Sequence, residues 1–284
     1  MTLALATLWA PVQAREPRES PWEELPPDQP TAEATEESVP YQVEFLGTED
    51  SALLSVLRAA SQLIELENRP PPTLARLNLR AEEDLTRLEA VLRSEGYYDG
   101  TLRSEIDTEE SPAKVVIHVT TGTRYILASH EVEYEGETPP PDKLRPNLAE
   151  LGLELRVPAR GPVIAAAGPK WVAFMTQRGY PFARVVDRKS TINRVTKTMG
   201  VVLKVDAGPL ARFGAVTISG LDKVDPAYIR RLLTWEQGET YDSRKIEEFR
   251  RSLSQTRIFS SIRIVPDDKL DAQGQLPIAV KLAE

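Results

Sequence analysis

Three stretches of sequence decide the fold: SEGYY (94–98), QRGYP (177–181) and TRIFS (256–260). In the first two, a glycine follows the last apolar position of a helical pattern, and a tyrosine comes directly after it. Glycine after a helix is typical of a chain that stops being helical and turns away. The third stretch has Arg257-Ile258-Phe259 instead. The intervals are 83 residues (96 to 179) and 79 residues (179 to 258), which indicates a repeated unit.

Each stretch lies at the same place in a longer pattern. A short apolar strand ending in glycine opens each unit, as VEFLG (43–47), VEYEG (132–136) and VTISG (216–220). Two helical segments and two alternating strands follow. The sequence therefore predicts an α+β fold of three tandem β-α-α-β-β domains, with boundaries at 41–123, 124–207 and 208–284.

The second unit fits this pattern least well. Pro169 lies inside the predicted helix between Pro162 and Arg178. Proline removes a helical N–H and clashes with the preceding turn, so we expect the helix to be broken there.

The N-terminus differs from the repeats. Residues 1–14 are apolar and end in Val-Gln-Ala, which is typical of a secretory signal with its cleavage site, although the basic start of such a signal is missing. A buried helix start is the alternative. Residues 15–40 contain six prolines and eight acidic residues against two arginines, which predicts a disordered linker.

Composition excludes several kinds of chemistry. The 284 residues contain no cysteine and only two histidines, His118 and His130, so thiol chemistry is excluded and histidine catalysis has little scope. The net charge of -8 argues against a nucleic-acid partner. We expect both histidines to be exposed surface residues, and the sequence predicts no catalytic, cofactor or metal site.

Two local motifs have simpler interpretations. The S-x-x-K pattern of penicillin-recognising enzymes occurs at Ser111–Lys114, but it falls in a predicted hairpin and not at a helix start. Asp267, Asp268 and Asp271 lack the spacing of a calcium loop and are expected to be turn residues.

The β-α-α-β-β order resembles tandem POTRA (polypeptide-transport-associated) domains of the Omp85 outer-membrane assembly family. The most specific parts are RGYPFA (178–183) and GPLARF (208–213). Three units are most similar to the TamA branch, the outer-membrane subunit of the translocation and assembly module. The resemblance implies a periplasmic location at the outer membrane and a C-terminal β-barrel, which would begin beyond Glu284 or lie on another chain. It also implies two kinds of partner: an inner-membrane-anchored TamB-like subunit, and unfolded outer-membrane protein or autotransporter clients.

The resemblance further implies that the last strand of each unit is the middle one. The strands predicted at 97–107, 180–191 and 258–265 would then be exposed edges, and exposed edges pair with incoming strands. In the first of them, Tyr98, Leu102 and Ile106 are expected to point inward. The candidate partner-binding residues are Tyr97, Asp99, Thr101, Arg103 and Glu105.

Alternatives remain open. A two-partner secretion transporter and the main barrel-assembly protein also carry POTRA domains, usually fewer and more than three respectively. An exported hydrolase is the alternative from another class, and the residue inventory opposes it. The charge of the units changes along the chain, from net -7 in 41–123 to +4 in 124–207 and +1 in 208–284. Such a gradient fits an N-terminal unit that avoids anionic lipid and more basic C-terminal units that tolerate it, although chance variation in composition explains it equally well.

Overall fold

The computed structural model describes residues 38–136 and 139–284. The predicted signal segment, and the predicted linker up to residue 37, lie outside the described residues. The first unit is built from β1 (Tyr41–Leu46), α1 (Ser51–Ala60), α2 (Gln62–Glu65), α3 (Leu74–Ser94), β2 (Thr101–Asp107) and β3 (Ala113–Thr120).

The other two units repeat this order with differences. The second has β4 (Ile126–Glu135), a 3₁₀ turn (Asp142–Leu144), α4 (Gly161–Thr176), β5 (Arg184–Asn193) and β6 (Thr198–Asp206). The third has β7 (Arg212–Ser219), α5 (Pro226–Arg231), α6 (Ser243–Gln255), β8 (Ser261–Pro266) and β9 (Gln275–Ala283).

Each unit has one three-stranded mixed sheet, in the orders β1-β3-β2, β4-β6-β5 and β7-β9-β8. The last strand of each unit is the middle one, parallel to the first strand and antiparallel to the second. This confirms the α+β fold class and the predicted place of β2, β5 and β8 at sheet edges.

Each sheet and its helices enclose a separate apolar core. In the first unit, α3 places Leu77, Leu88 and Leu92 against Val115 and Ile117 of the middle strand, and all five are fully buried. This is the pattern expected from residues repeating every three or four positions on the helix and every two on the strand.

Pro169 does not break its helix, so that prediction was wrong. Helix α4 runs without interruption from Gly161 to Thr176 with Pro169 inside it. One buried face carrying Ile164, Ala167, Trp171 and Met175 spans the proline on both sides. Packing of this face outweighs the single helical hydrogen bond that the proline cannot make.

In residues 139–160 of the second unit, which the structure describes, the predicted first helix does not form. Prolines at 139, 140, 141 and 146 crowd this segment, and proline cannot supply the N–H groups that a helix interior needs. The 3₁₀ turn and the turns after it take the helix's place, and they bury Leu151 and Leu153 in the core.

The edge strands begin three or four residues later than predicted. After Gly96 the chain forms a turn in which the Gly100 N–H donates to the Tyr97 carbonyl at 3.2 Å. The Ala183 N–H donates to Tyr180 at the same distance in the second unit. In the third unit Arg257, with φ of 56°, takes the left-handed conformation that Gly96 has at 96°. The third unit therefore keeps a left-handed residue after the helix although it lacks the glycine.

Candidate protein-binding edges

Among the strands that the structure describes, the outer strands β2, β5 and β8 each pair with a neighbour on one side only. Backbone N–H and C=O groups alternate along a strand between its two sides, so every second residue of an edge strand points its backbone groups away from the sheet. Which residues these are follows from the hydrogen bonds of the middle strand.

In the first sheet, the Ala113 N–H donates to the Pro40 carbonyl at 2.8 Å, which aims residue 113 of β3 at β1. By alternation, Lys114, Val116, His118 and Thr120 face β2, where they pair with Asp107, Glu105, Arg103 and Thr101. The backbone groups of Leu102, Ser104 and Ile106 therefore point outward. The edge of β2 offers three donors and three acceptors in a row.

The edge strands of the other two sheets also have outward-facing backbone groups. The Asp267 N–H donates to the Pro277 carbonyl at 2.9 Å, so the backbone groups of residues 263 and 265 face β9. The backbone groups of Ile262 and Ile264 therefore point outward. Pro266 also points its nitrogen outward, at a position where no N–H is needed. In the second sheet, the Ile126 N–H donates to the backbone carbonyl of Lys197, so the backbone groups of odd-numbered residues face β4. The backbone groups of even-numbered β6 residues therefore face β5. The backbone groups of Arg188, Ser190 and Ile192 on β5 then point outward.

The predicted site residues divide into two groups. Thr101, Arg103 and Glu105 lie on β2 with exposed side chains on the face away from the helices. Their backbone groups face β3, so they border the edge without lining it. Tyr97 is 8% exposed and belongs to the core, with its hydroxyl donating to Asp50 at 3.4 Å. Asp99 precedes β2 and contacts the second unit.

Asp99 is the centre of a charged cluster between the first two units. Its carboxylate accepts from Lys197 Nζ at 2.7 Å, the Tyr125 hydroxyl at 2.8 Å and Arg194 at 3.0 Å. The hydrogen bonds from Lys197 and Tyr125 hold the pKa of Asp99 below its usual value. Both cations come from the tip of the β5–β6 hairpin, which therefore attaches to the first unit.

Glu95 forms a second, more buried contact at this joint. Its carboxylate accepts from Arg160 Nε at 2.9 Å, Arg160 Nη2 at 3.0 Å and Arg124 Nη2 at 3.1 Å. Glu95 caps the end of α3, and Arg160 precedes the first residue of α4. The two units are thus connected helix end to helix start.

The backbone at the two joints is equivalent. The Tyr125 N–H donates to the Gly96 carbonyl at 2.8 Å, and the Ala211 N–H donates to the Gly179 carbonyl at 2.8 Å. The side chains differ: where the first joint has Asp99, the second has Phe182, which packs against the third core. Of the two joint carboxylates, Asp99 was predicted to bind a partner and instead contacts the second unit, while Glu95, inside the motif SEGYY (94–98), was not among the predicted site residues.

The remaining candidates form no chemical centre. His130 is half-buried on the core-facing side of β4, beside Val201, and not an exposed surface residue as expected. Desolvation lowers its pKa. Asp267 and Asp271 accept from backbone N–H groups of their own hairpin, as turn residues do.

Over the described ranges, no group of three metal-binding side chains occurs. In the same ranges no helix combines the length and apolar character that a membrane span requires.

Comparison with known proteins finds a family match in the third unit. Residues 211–281 match the family model POTRA, described as a surface antigen variable number repeat. Among solved structures, POTRA3–5 of BamA from Haemophilus influenzae is 20% identical over 87% of this chain and 96% of that one, with a TM-score of 0.49. POTRA1–3 of Omp85 from Anabaena is 13% identical (86% and 93% covered, TM-score 0.34). CdiB from Escherichia coli is 16% identical (74% and 34% covered, TM-score 0.26).

Proposed function

We propose that this chain is the periplasmic POTRA array of an Omp85-type outer-membrane assembly factor, most like TamA, and that it acts as a non-catalytic scaffold. It receives extended segments of partner or client proteins, which add as strands to its exposed sheet edges. The partners are a TamB-like inner-membrane-anchored subunit and unfolded outer-membrane or autotransporter clients. Export and cleavage of residues 1–14 belong to the same proposal.

The observation that carries the proposal is the outward row of backbone groups on the three edge strands. An incoming strand gains affinity from main-chain hydrogen bonds, and these depend little on its sequence. A scaffold for many clients needs that kind of recognition. The match of the third unit to the POTRA family supports the assignment independently.

The test uses proline at two adjacent positions of β2. Ser104 points its N–H outward and has a small, half-buried side chain. Ser104→Pro removes an edge donor, whereas Ser104→Ala keeps it and changes the side chain similarly. The probe is a urea-unfolded outer-membrane β-barrel protein diluted onto the array, with affinity measured by fluorescence anisotropy.

We expect Ser104→Pro to weaken binding by about three- to tenfold, the value of one lost hydrogen bond, and Ser104→Ala to leave it unchanged. Arg103→Pro is the matched control for folding. It removes a bond within the sheet, so it lowers stability as well as affinity. Equal affinities of Ser104→Pro and Ser104→Ala, with both proteins folded by circular dichroism, would exclude strand addition at β2.

A further inference from the structure

The edge strand β5 differs from the other two edges in its exposure. All ten of its residues are exposed, whereas β2 alternates between exposed and half-buried positions. Val186 is 47% exposed and Ile192 is 39% exposed. A ten-residue strand that is exposed on both faces buries little apolar surface against its own domain.

The cause is the position of helix α4. Arg188, Ser190 and Ile192 pair with the core residues Leu203, Val201 and Met199, so their side chains point to the helix-covered face. Helix α4 passes close to β5 at Gly168, where an added Cβ would lie 3.2 Å from Val185 Cγ2. Beyond this contact, the helix-facing side chains of Arg188, Ser190 and Ile192 remain exposed. This segment therefore combines an unpaired backbone edge with exposed side chains on the helix-facing side.

One of the outward donors is already engaged. The backbone N–H of Arg188 donates to the Asp187 carboxylate at 2.7 Å. That contact agrees with an outward direction for residue 188, and it leaves the N–H groups of Ser190 and Ile192 facing solvent. Asp187 thus covers one end of the edge.

The charge of this segment is positive. Residues 184–197 contain five basic residues and one acidic residue. Arg184 pairs with Asp206, and Arg194 and Lys197 pair with Asp99. Within the described ranges neither Arg188 nor Lys189 forms an ion pair. Because adjacent strand residues point to opposite faces, these two cations present one positive charge on each face.

We propose that residues 188–192 of β5 bind an extended acidic segment of a partner protein by strand addition. This rests on the proposed function and adds the edge and the chemistry of its partner. Two adjacent acidic residues would lie opposite Arg188 and Lys189, one on each face, and an apolar residue would lie opposite Ile192. An antiparallel partner strand then has the pattern apolar-x-x-acidic-acidic. A second copy of this chain is disfavoured, because its Arg188 and Lys189 would approach like charges.

The experiment measures binding of a capped ten-residue peptide that alternates valine and threonine around a central Glu-Glu pair. The control peptide has Lys-Lys at the centre. We expect the acidic peptide to bind and the basic one to bind at least tenfold more weakly. Arg188→Glu with Lys189→Glu should weaken the acidic peptide about tenfold, since cross-strand charge pairs on both faces are lost and reversed. Both side chains are exposed, so the fold is retained.

Two further variants separate backbone pairing from charge attraction. Ser190→Pro should weaken binding several-fold relative to Ser190→Ala, because it removes an outward donor. Asp187→Ala should tighten binding, because it uncovers the Arg188 N–H and removes a negative charge. On binding, hydrogen exchange should slow at Ser190 and Ile192 and stay unchanged at Lys189 and Thr191, which already face β6.

Several outcomes would overturn the proposal. They are equal binding of the two peptides, no added protection at Ser190 and Ile192, binding to anionic phospholipid vesicles without peptide binding, or a dimer formed through β5. If the unfolded client still binds β2 in the Ser104 experiment, the proposed function stands while this inference fails. If neither edge binds, both fail.

Discussion

Glu95 is the side chain on which the joint between the first two units most depends, and Glu95→Gln tests this. The carboxylate is 9% exposed and accepts three hydrogen bonds, while Arg124 and Arg160 are 32% and 46% exposed. The amide keeps one acceptor oxygen and places an NH₂ group against arginine donors. A buried charge-assisted bond contributes roughly 1.5–3 kcal/mol, but these arginines recover water when released. We therefore expect a loss of about 2 kcal/mol in the free energy of unfolding.

The assay is urea unfolding at pH 7 followed by circular dichroism, with Glu89→Gln as the matched control. Glu89 lies on the same helix and pairs with Arg93 at 3.6 Å, but both side chains are about half exposed. That variant should lose less than about 0.5 kcal/mol. A double-mutant cycle with Arg160→Ala should show a coupling energy of about 1 kcal/mol or more. If Glu95→Gln costs no more than Glu89→Gln, the joint does not depend on this contact.

Three further predictions concern the first two units and the N-terminus. Asp84 is fully buried and accepts from Ser61 Oγ at 2.6 Å and from two backbone N–H groups, so Asp84→Asn should cost about 2–3 kcal/mol in urea unfolding, against little for the exposed Glu82→Gln. Because the pKa of His130 is lowered in the folded chain, its contribution to stability is complete above the unfolded value of about 6.5 and is lost as pH falls below it. His130→Gln should therefore lose less stability than the natural sequence between pH 7.5 and 5.5, and an equal loss would contradict this. Export with cleavage after Ala14 predicts a mature protein that begins at Arg15, and recovery of intact Met1 in mass spectrometry of the exported protein would exclude it.

The repeat architecture could be predicted because it depends on local patterns. The glycine-aromatic motif, the opening strands and the alternating final strands each follow from the conformation of a few neighbouring residues. The order of strands within each sheet came from the resemblance, since local patterns do not determine which strand lies in the middle.

Other features depended on contacts between distant residues. Helix α4 continues through Pro169 because Trp171 and Met175 pack in the second core. The residues that form this core are far apart in the sequence, so local patterns do not predict the packing. The burial of His130 depends on the register of β4 against β6, which includes an irregularity between Leu127 and Ser129. In β2, the direction of the edge amides follows from a contact elsewhere in the sheet, the hydrogen bond from the Ala113 N–H to the Pro40 carbonyl. With the register of β2 on β3, it places the backbone groups of Thr101 and Arg103 toward β3 and those of Ser104 outward.

Hydrogen exchange on the array with and without bound unfolded client tests strand addition most directly. The account predicts slower exchange at outward amides, such as Leu102, Ser104 and Ile106 of β2, and no change at Arg103 and Glu105, which already face β3. An alternating pattern of this kind arises only from a strand paired along the edge. Uniform protection across β2, or protection confined to the helices with the edge amides unchanged, would contradict the account.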